Sequence, residues 1–254
     1  MTQAPAPTPV RAVLMGAGGR MGQAILQAAA GSSQLAVSAA VVSPGSALTG
    51  SPVPGGALHY RADLAAALKE AQVAIDFSSA QATLANLGAC RRAGTPLLIG
   101  TTGFAATLER EFAAAAREIP LLVAANTSIG VAVLAELVRI AARALPRQFA
   151  PTITESHHAG KRDAPSGTAL ALADAARAGR PELAAVDIES IRAGDIVGEH
   201  RVRFAAAGEE LTLAHKASER GLFAAGALAA AVWLAAQLPG RYAMRDVLAI
   251  KTVT

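Results

Sequence analysis

Between Glu155 and Thr168 the chain reads Glu155-Ser156-His157-His158-Ala159-Gly160-Lys161-Arg162-Asp163-Ala164-Pro165-Ser166-Gly167-Thr168. Two of the five histidines fall in this block, together with one of only four lysines in the protein. An imidazole titrates near working pH, so His157 is suited to donate a proton. Ser166-Gly167-Thr168 has the make-up of a helix start, whose N–H groups and dipole hold a carboxylate, with Lys161 as counter-charge. Two other readings compete. One is a solvated loop with an Asp or Ser helix cap. The other is a zinc site, but adjacent histidines at a strand end point to opposite sides and no third ligand stands at a suitable spacing, so no metal is expected.

A second group of residues suits phosphate. Gly16-Ala17-Gly18-Gly19-Arg20-Met21-Gly22 follows an apolar strand over 12–15 and opens a helix over 21–30. Met21 occupies the place of the third glycine in G-x-G-x-x-G, and the spacing kept is Gly16-x-x-Gly19-x-x-Gly22. The physical demands are the same: a tight turn, close approach of backbone to a pyrophosphate, and free N–H groups at a helix start, with Arg20 as a further donor. A dinucleotide is therefore expected over a merely structural turn. The ribose-binding acid expected about 20 residues later is missing, because the second strand ends Val41-Val42-Ser43. A 2′-phosphate is then not repelled, but no arginine stands there to pair with it. Ser43 or Ser46 can hydrogen-bond either form, so NADPH and NADH both stay open, tipped toward NADPH. Other strand ends carry small polar groups: Ser78-Ser79, Gly100-Thr101-Thr102-Gly103 and Asn126-Thr127. In an open α/β sheet, ligands bind outside these carboxyl ends.

The elements that must position these groups follow from periodicity. Short strands apolar on both faces (12–15, 35–42, 73–77, 96–99 and 121–125) alternate with helical stretches (21–30, 63–70, 81–92 and 104–117), while 43–56 is a loop. This predicts an α/β fold, a Rossmann-type doubly wound parallel sheet with right-handed crossovers. After Asn126 the pattern changes. A helix over 130–145 stops at Pro146, a strand covers 152–156, a helix begins at Ser166, and 186–192, 196–204 and 210–216 alternate polar and apolar residues. That predicts a smaller α+β domain on a mixed or antiparallel sheet with one exposed face. A helix over 222–236 and a strand over 247–250 return to the first domain. The expected division is a flexible Pro-rich tail over 1–10, a dinucleotide-binding domain over 11–126 and 219–254, and a substrate-binding and oligomerisation domain over 127–218.

Composition narrows the partners. The 254 residues are 52% hydrophobic, 17% charged and only 4% aromatic, which suits a globular chain with a packed Ala-, Val- and Leu-rich core. The net charge of +4 is carried mostly by arginine and reflects an Ala- and Arg-rich composition. No run of five or more like charges and no basic–aromatic interleaving occurs, so nucleic acid is not an expected partner. The apolar stretch over 222–236 falls short of the roughly 20 residues that span a bilayer, and the start of the chain lacks a secretory pattern. A single cysteine, Cys90, excludes an intrachain disulfide and suits a reducing compartment, so a cytoplasmic location is expected. Cys90 reads as a buried structural thiol, and His200 and His215 as packed or interfacial histidines.

Taken together, Gly16–Gly22, Gly100-Thr101-Thr102-Gly103-Phe104, Ala124-Ala125-Asn126, the 155–169 block, Arg192-Ala193-Gly194-Asp195-Ile196-Val197-Gly198-Glu199-His200 and His215-Lys216-Ala217 resemble the dihydrodipicolinate reductase family over nearly the whole chain. The resemblance implies a homotetramer and hydride transfer from NAD(P)H to an unsaturated cyclic dicarboxylate of the diaminopimelate and lysine pathway. It implies that His157 and Lys161 form the acid–base pair. It also implies that His158, Gly167 and Thr168, beside Ser166, hold substrate carboxylate. Gly16, Ala17, Gly18, Gly19, Arg20 and Met21 would bind the dinucleotide with Gly100, Thr101, Thr102, Ala124, Ala125, Asn126 and Thr127. The chain departs from the family pattern in two places. It has Val42-Ser43 and Ser79 where relatives carry Glu-Arg and Arg, and its segment between the Thr168 helix and Arg192 is short. An oxidoreductase for a semialdehyde or imino acid, and a non-catalytic NAD(P) sensor, are the competing classes.

Overall fold

In the computed structural model, residues 8–104 and 108–248 are described here. The chain forms two compact units, one built from residues up to Thr127 and from Phe223 onward, the other from Ser128–Leu222.

The first unit opens with β1 (Val10–Met15), α1 (Arg20–Ala30), β2 (Leu35–Val41), β3 (Tyr60–Arg61), α2 (Leu64–Leu68), β4 (Val73–Asp76), α3 (Ala80–Ala93), β5 (Leu97–Ile99), α4 (Leu108–Ala115) and β6 (Pro120–Val123). The second unit contains α5 (Ile129–Ala144), β7 (Ala150–His157), α6 (Gly167–Gly179), β8 (Asp187–Arg192), β9 (Gly198–Ala206) and β10 (Glu209–Ala217). From α7 (Gly221–Leu234) the chain passes back into the first unit and adds β11 (Gly240–Tyr242) and α8 (Met244–Val247).

The larger sheet has the order β11-β6-β5-β4-β1-β2-β3, with every pairing parallel. Its strands are apolar on both faces because both are covered: Val13, Leu14, Ile75, Leu97, Leu98 and Leu122 have no exposed surface. The strand order reverses between β1 and β4, so the glycine-rich turn after β1 sits at the switch point of the sheet, where such folds bind ligands. Helix boundaries follow local chemistry. The Asp63 side chain caps α2, the Ser79 side chain caps α3, and Gly94, left-handed at φ 65°, ends α3. Cys90 on α3 lies wholly in the core, and burial raises its pKa. The thiol is therefore uncharged and inert.

The smaller sheet, ordered β10-β9-β7-β8, is mixed. β9 lies antiparallel to both β7 and β10, whereas β8 lies parallel to β7 because α6 makes the crossover between them. α5 and α6 pack on one face over Ile153, Val202 and Phe204. Gly179 permits the close approach of these helices, since a Cβ there would lie 2.1 Å from the Arg139 carbonyl oxygen. Arg180, which is buried, follows directly. Its guanidinium donates to the carbonyls of Ala142, Phe149 and Leu145 at 2.9, 3.0 and 2.9 Å and so closes the end of α5.

Three expectations change. The strand expected over 247–250 is replaced at Val247 by α8, with 249 and 250 outside the described residues, and the returning strand is β11, whose three residues carry too little apolar pattern to announce themselves. The helix expected over 104–117 is found as Leu108–Ala115, with 105–107 outside the described residues. Residues 1–7 of the expected tail also lie outside them, and Val10 already belongs to β1. Arg180→Met leaves several buried carbonyls without a donor. We expect it to lower the unfolding free energy by about 2–4 kcal/mol, measured by urea denaturation.

Candidate active site

Each unit holds one group of the candidate site residues. In the first unit the turn after β1 depends on bare backbone. Gly16 has φ 77°, and a Cβ on it would meet the Phe77 carbonyl oxygen at 2.3 Å. One on Gly22 would meet the Gly16 carbonyl oxygen at 2.3 Å, so α1 starts against the turn itself. Gly19 is the N-cap of α1 and supplies no side-chain cap. Gly16, Gly18 and Gly19 line a cavity of about 720 Å³ together with Ser43, Ser46 and Ser79, and no charged side chain appears among its described lining residues.

The structure sets the other expected strand ends beside this turn, since β1, β4, β5 and β6 are parallel and adjacent. Gly100 lies under the Phe77 ring, where a Cβ would come within 2.2 Å of the ring carbons. The Thr101 hydroxyl is turned inward to the Asp76 carbonyl oxygen at 3.2 Å, and Thr127 donates to the Phe223 carbonyl oxygen at 2.7 Å. Thr102 and Ala125 are exposed, Asn126 is half-buried and Ala124 is buried. Sequence reasoning passed over Asp76, a buried carboxylate at the end of β4. It accepts from the Ser78 N–H at 2.8 Å, the Ser78 hydroxyl at 2.5 Å and the Asn86 amide at 3.1 Å, and so ties down the loop that floors the cavity. The lone acid closing an apolar strand was the available signal.

In the second unit β7 alternates, with Ile153, Glu155 and His157 on its buried face. Glu155, with no exposed surface, is the hub. It meets His157 Nδ1 at 2.5 Å, two Arg192 nitrogens at 3.0 and 2.7 Å, and the Ser166 N–H at 3.2 Å. Burial alone would raise the Glu155 carboxyl, but hydrogen bonds from Arg192, Ser190 and His157 bring it down to about 2. Burial lowers the His157 pKa, against the opposing pull of Glu155. The His200 ring lies across from His157 with centroids 5.2 Å apart, and burial followed by the His157 charge lowers His200 to about 4. Its Nε2 lies 3.3 Å from the Ser166 hydroxyl, which also receives the Ala169 N–H and caps α6. Gly198 leaves room for His157, since a Cβ there would lie 3.2 Å from Nε2.

The structure thus gathers His157, Ser166 and the first residues of α6, Gly167 and Thr168, in one place. Lys161, half-buried, is paired with Asp163 at 2.7 Å. Burial acts to raise the Asp163 carboxyl, but Lys161 draws it down overall. His158 follows β7, half-buried, and its carbonyl accepts from the Lys161 N–H at 3.0 Å. The sequence alone assigns no role to Glu155, Arg192 or Gly198, and marks His200 as a packed or interfacial histidine. Glu155 and His157 are two residues apart on one strand and so share a face, a legible signal. Arg192 and His200 reach the site through the β7 register, opposite His157 and Glu155, which spacing does not reveal. Among the described residues no group of three His, Cys, Asp or Glu is arranged to hold a metal, and no helix is long and apolar enough to cross a membrane.

Two family models match, dihydrodipicolinate reductase N-terminus over residues 10–127 and dihydrodipicolinate reductase C-terminus over 130–248. The chain is 42% identical to the 4-hydroxy-tetrahydrodipicolinate reductase of Thiobacillus denitrificans, covering 95% of this chain and 99% of that protein. It is 43% identical to the enzyme of the same name from Alkalilimnicola ehrlichii, covering 94% and 99%. A solved structure of dipicolinate-bound dihydrodipicolinate reductase from Paenisporosarcina sp. TG-14 shares the fold, with a TM-score of 0.76 at 21% identity over 92% of this chain and 97% of that one.

The depressed histidines give the protein a defined acid response. An unfolded histidine titrates near 6.5 while folded His200 resists protonation down to about 4, so stability is present above 6.5 and falls as pH drops through that window. His157 and His215, both lowered by burial, act in the same direction. His200→Gln is expected to flatten part of this slope in urea denaturation repeated between about pH 7 and pH 4.5.

Proposed function

As the chain belongs to the dihydrodipicolinate reductase family, we propose that it reduces the dehydrated form of 4-hydroxy-tetrahydrodipicolinate to tetrahydrodipicolinate, a step of diaminopimelate and lysine biosynthesis. The observation that carries the reading at the level of residues is the buried Glu155–His157 pair on β7, bonded to the start of α6 through the Ser166 N–H, with Lys161 on the loop between the two elements.

A pyridine nucleotide fits the first unit, because the places a Cβ would fill at Gly16 and Gly22 are closed by backbone and the cavity beside them is lined by small and apolar side chains. Gly16 to Met21 would hold its pyrophosphate, with Gly100 to Thr102 and Ala124 to Thr127 along the adjoining strand ends. When bound, the reduced nicotinamide supplies the hydride. Among the described lining residues there is no carboxylate to reject a 2′-phosphate, and Ser43, Ser46 and Ser79 offer hydroxyl donors. The hydroxyls can bond either form, so the slight lean to NADPH rests on the missing carboxylate among the described lining residues.

The second unit handles the dicarboxylate. The N–H groups at Gly167 and Thr168 and the Lys161 ammonium bind a substrate carboxylate, which takes over part of the contact now made by Asp163. His158 contributes a further donor to that carboxylate. His157, with Nδ1 committed to Glu155, has Nε2 left to deliver a proton to the ring carbon beside the one that is reduced. Lys161 favours electron flow toward the bound carboxylate and completes the acid–base pair. The family resemblance further supports a homotetramer, and the buried, unbonded Cys90 is compatible with the reducing cytoplasm.

Oxidation of NADPH by the purified protein, supplied with substrate freshly made by the preceding condensing enzyme, tests the reading. Turnover no faster than the blank would overturn it. His157→Gln is expected to reduce kcat about a hundredfold or more while the KM for NADPH stays within about twofold. NADPH is expected to exceed NADH in kcat/KM by less than about tenfold, because no cationic side chain stands among the described residues lining the cavity.

A further inference from the structure

Glu155 touches three elements at once. Its Oε2 meets His157 Nδ1 at 2.5 Å, its Oε1 accepts the Ser166 N–H at 3.2 Å, and both oxygens receive the two terminal nitrogens of Arg192 at 3.0 and 2.7 Å. Arg192 is held in turn by a 2.6 Å hydrogen bond to the Asp163 carbonyl oxygen, on the loop that carries Lys161. One wholly buried carboxylate therefore links the imidazole on β7, the start of α6, and, through Arg192 on β8, the loop over 158–165.

We propose that Glu155 is the positioning residue of the reaction: it fixes the ring plane and tautomer of His157 while holding the start of α6 in register with it, and the Arg192 fork sets its own orientation. The proposal rests on the reading of His157 as proton donor. With Nδ1–H directed at Glu155, the proton that exchanges during turnover resides on Nε2, and the ring returns to the same neutral tautomer after each transfer. The charged and titratable groups around His157 are Glu155 on its own strand, Lys161 on the following loop with Asp163 paired to it, Arg192 on β8 and His200 on β9, with His215 beyond it on β10. Glu155 and Asp163 are the anions among them, and Asp163 is engaged with Lys161. Glu155 is thus the group that favours an imidazolium in a setting otherwise weighted toward positive charge.

The test uses the full-length protein with 15N-labelled histidine. In the wild type, long-range proton–nitrogen spectra are expected to show neutral His157 as the Nδ1–H tautomer. In Glu155→Gln the carboxamide presents either a donor or an acceptor to the ring. Activity that needs protonated His157 is lost as pH rises through its pKa, so removing the anion should move that alkaline limb of kcat down by about one unit or more. At neutral pH kcat should fall about tenfold or more, while the KM for NADPH stays within about twofold. Glu155→Asp, which keeps the charge, should return the limb toward its wild-type position. A limb unmoved in Glu155→Gln, or a wild-type His157 found as the Nε2–H tautomer, overturns the proposal, and the wild-type spectrum decides it if the variant does not fold. Full turnover by His157→Gln would instead sink the proton-donor reading itself. An inactive His157→Gln beside an unmoved Glu155→Gln limb sinks only the present inference.

Discussion

A carboxylate with no exposed surface is costly unless its oxygens are fully engaged, and the second unit is organised around meeting that demand at Glu155. Arg192, His157 and the Ser166 N–H surround it, and each comes from a different part of the chain. To supply the arginine, β8 must run parallel to β7, so that position 192 stands opposite 157. To supply the amide, α6 must begin at the end of the loop that leaves β7. The mixed sheet and its crossover helix can be understood as the topology that meets this requirement.

The first unit depends on a different constraint, namely how closely backbone approaches backbone. Around Gly16 and Gly22 the separations are so short that any side chain would strike a carbonyl, and Gly100 is similarly pressed under Phe77. The steric demand falls on strand ends and a helix start, which the parallel order of β1, β4, β5 and β6 gathers along one edge of the sheet. The two units thus pursue opposite strategies. One keeps side chains out so that backbone closes on backbone at the strand ends, and the other buries charged side chains in a compensated cluster.

Much of this was legible in the sequence. Strands apolar on both faces gave away the covered parallel sheet, alternation gave away the half-exposed one, and the 155–168 block marked where the polar residues of the second unit come together. The parts that escaped have physical reasons. β3 and β11 are two and three residues long, shorter than any reliable period. Arg192 and His200 gain their roles from strand register, a long-range property that spacing along the chain does not encode. Glu155 was quoted within its motif but given no role, although its two-residue offset from His157 already placed both side chains on one face.

The second unit is inserted into the first: the chain leaves after Thr127 and is back by Phe223, and the hydrogen bond between these two residues brings the ends of the insertion together. β6 acquires its outer neighbour, β11, only from residues 240–242. The larger sheet therefore cannot close its β6 edge until residues 240–242 are made, whereas the inserted module has all its strands once residue 217 is made. The unit whose first strand is made first is thus the one whose last strand is made last.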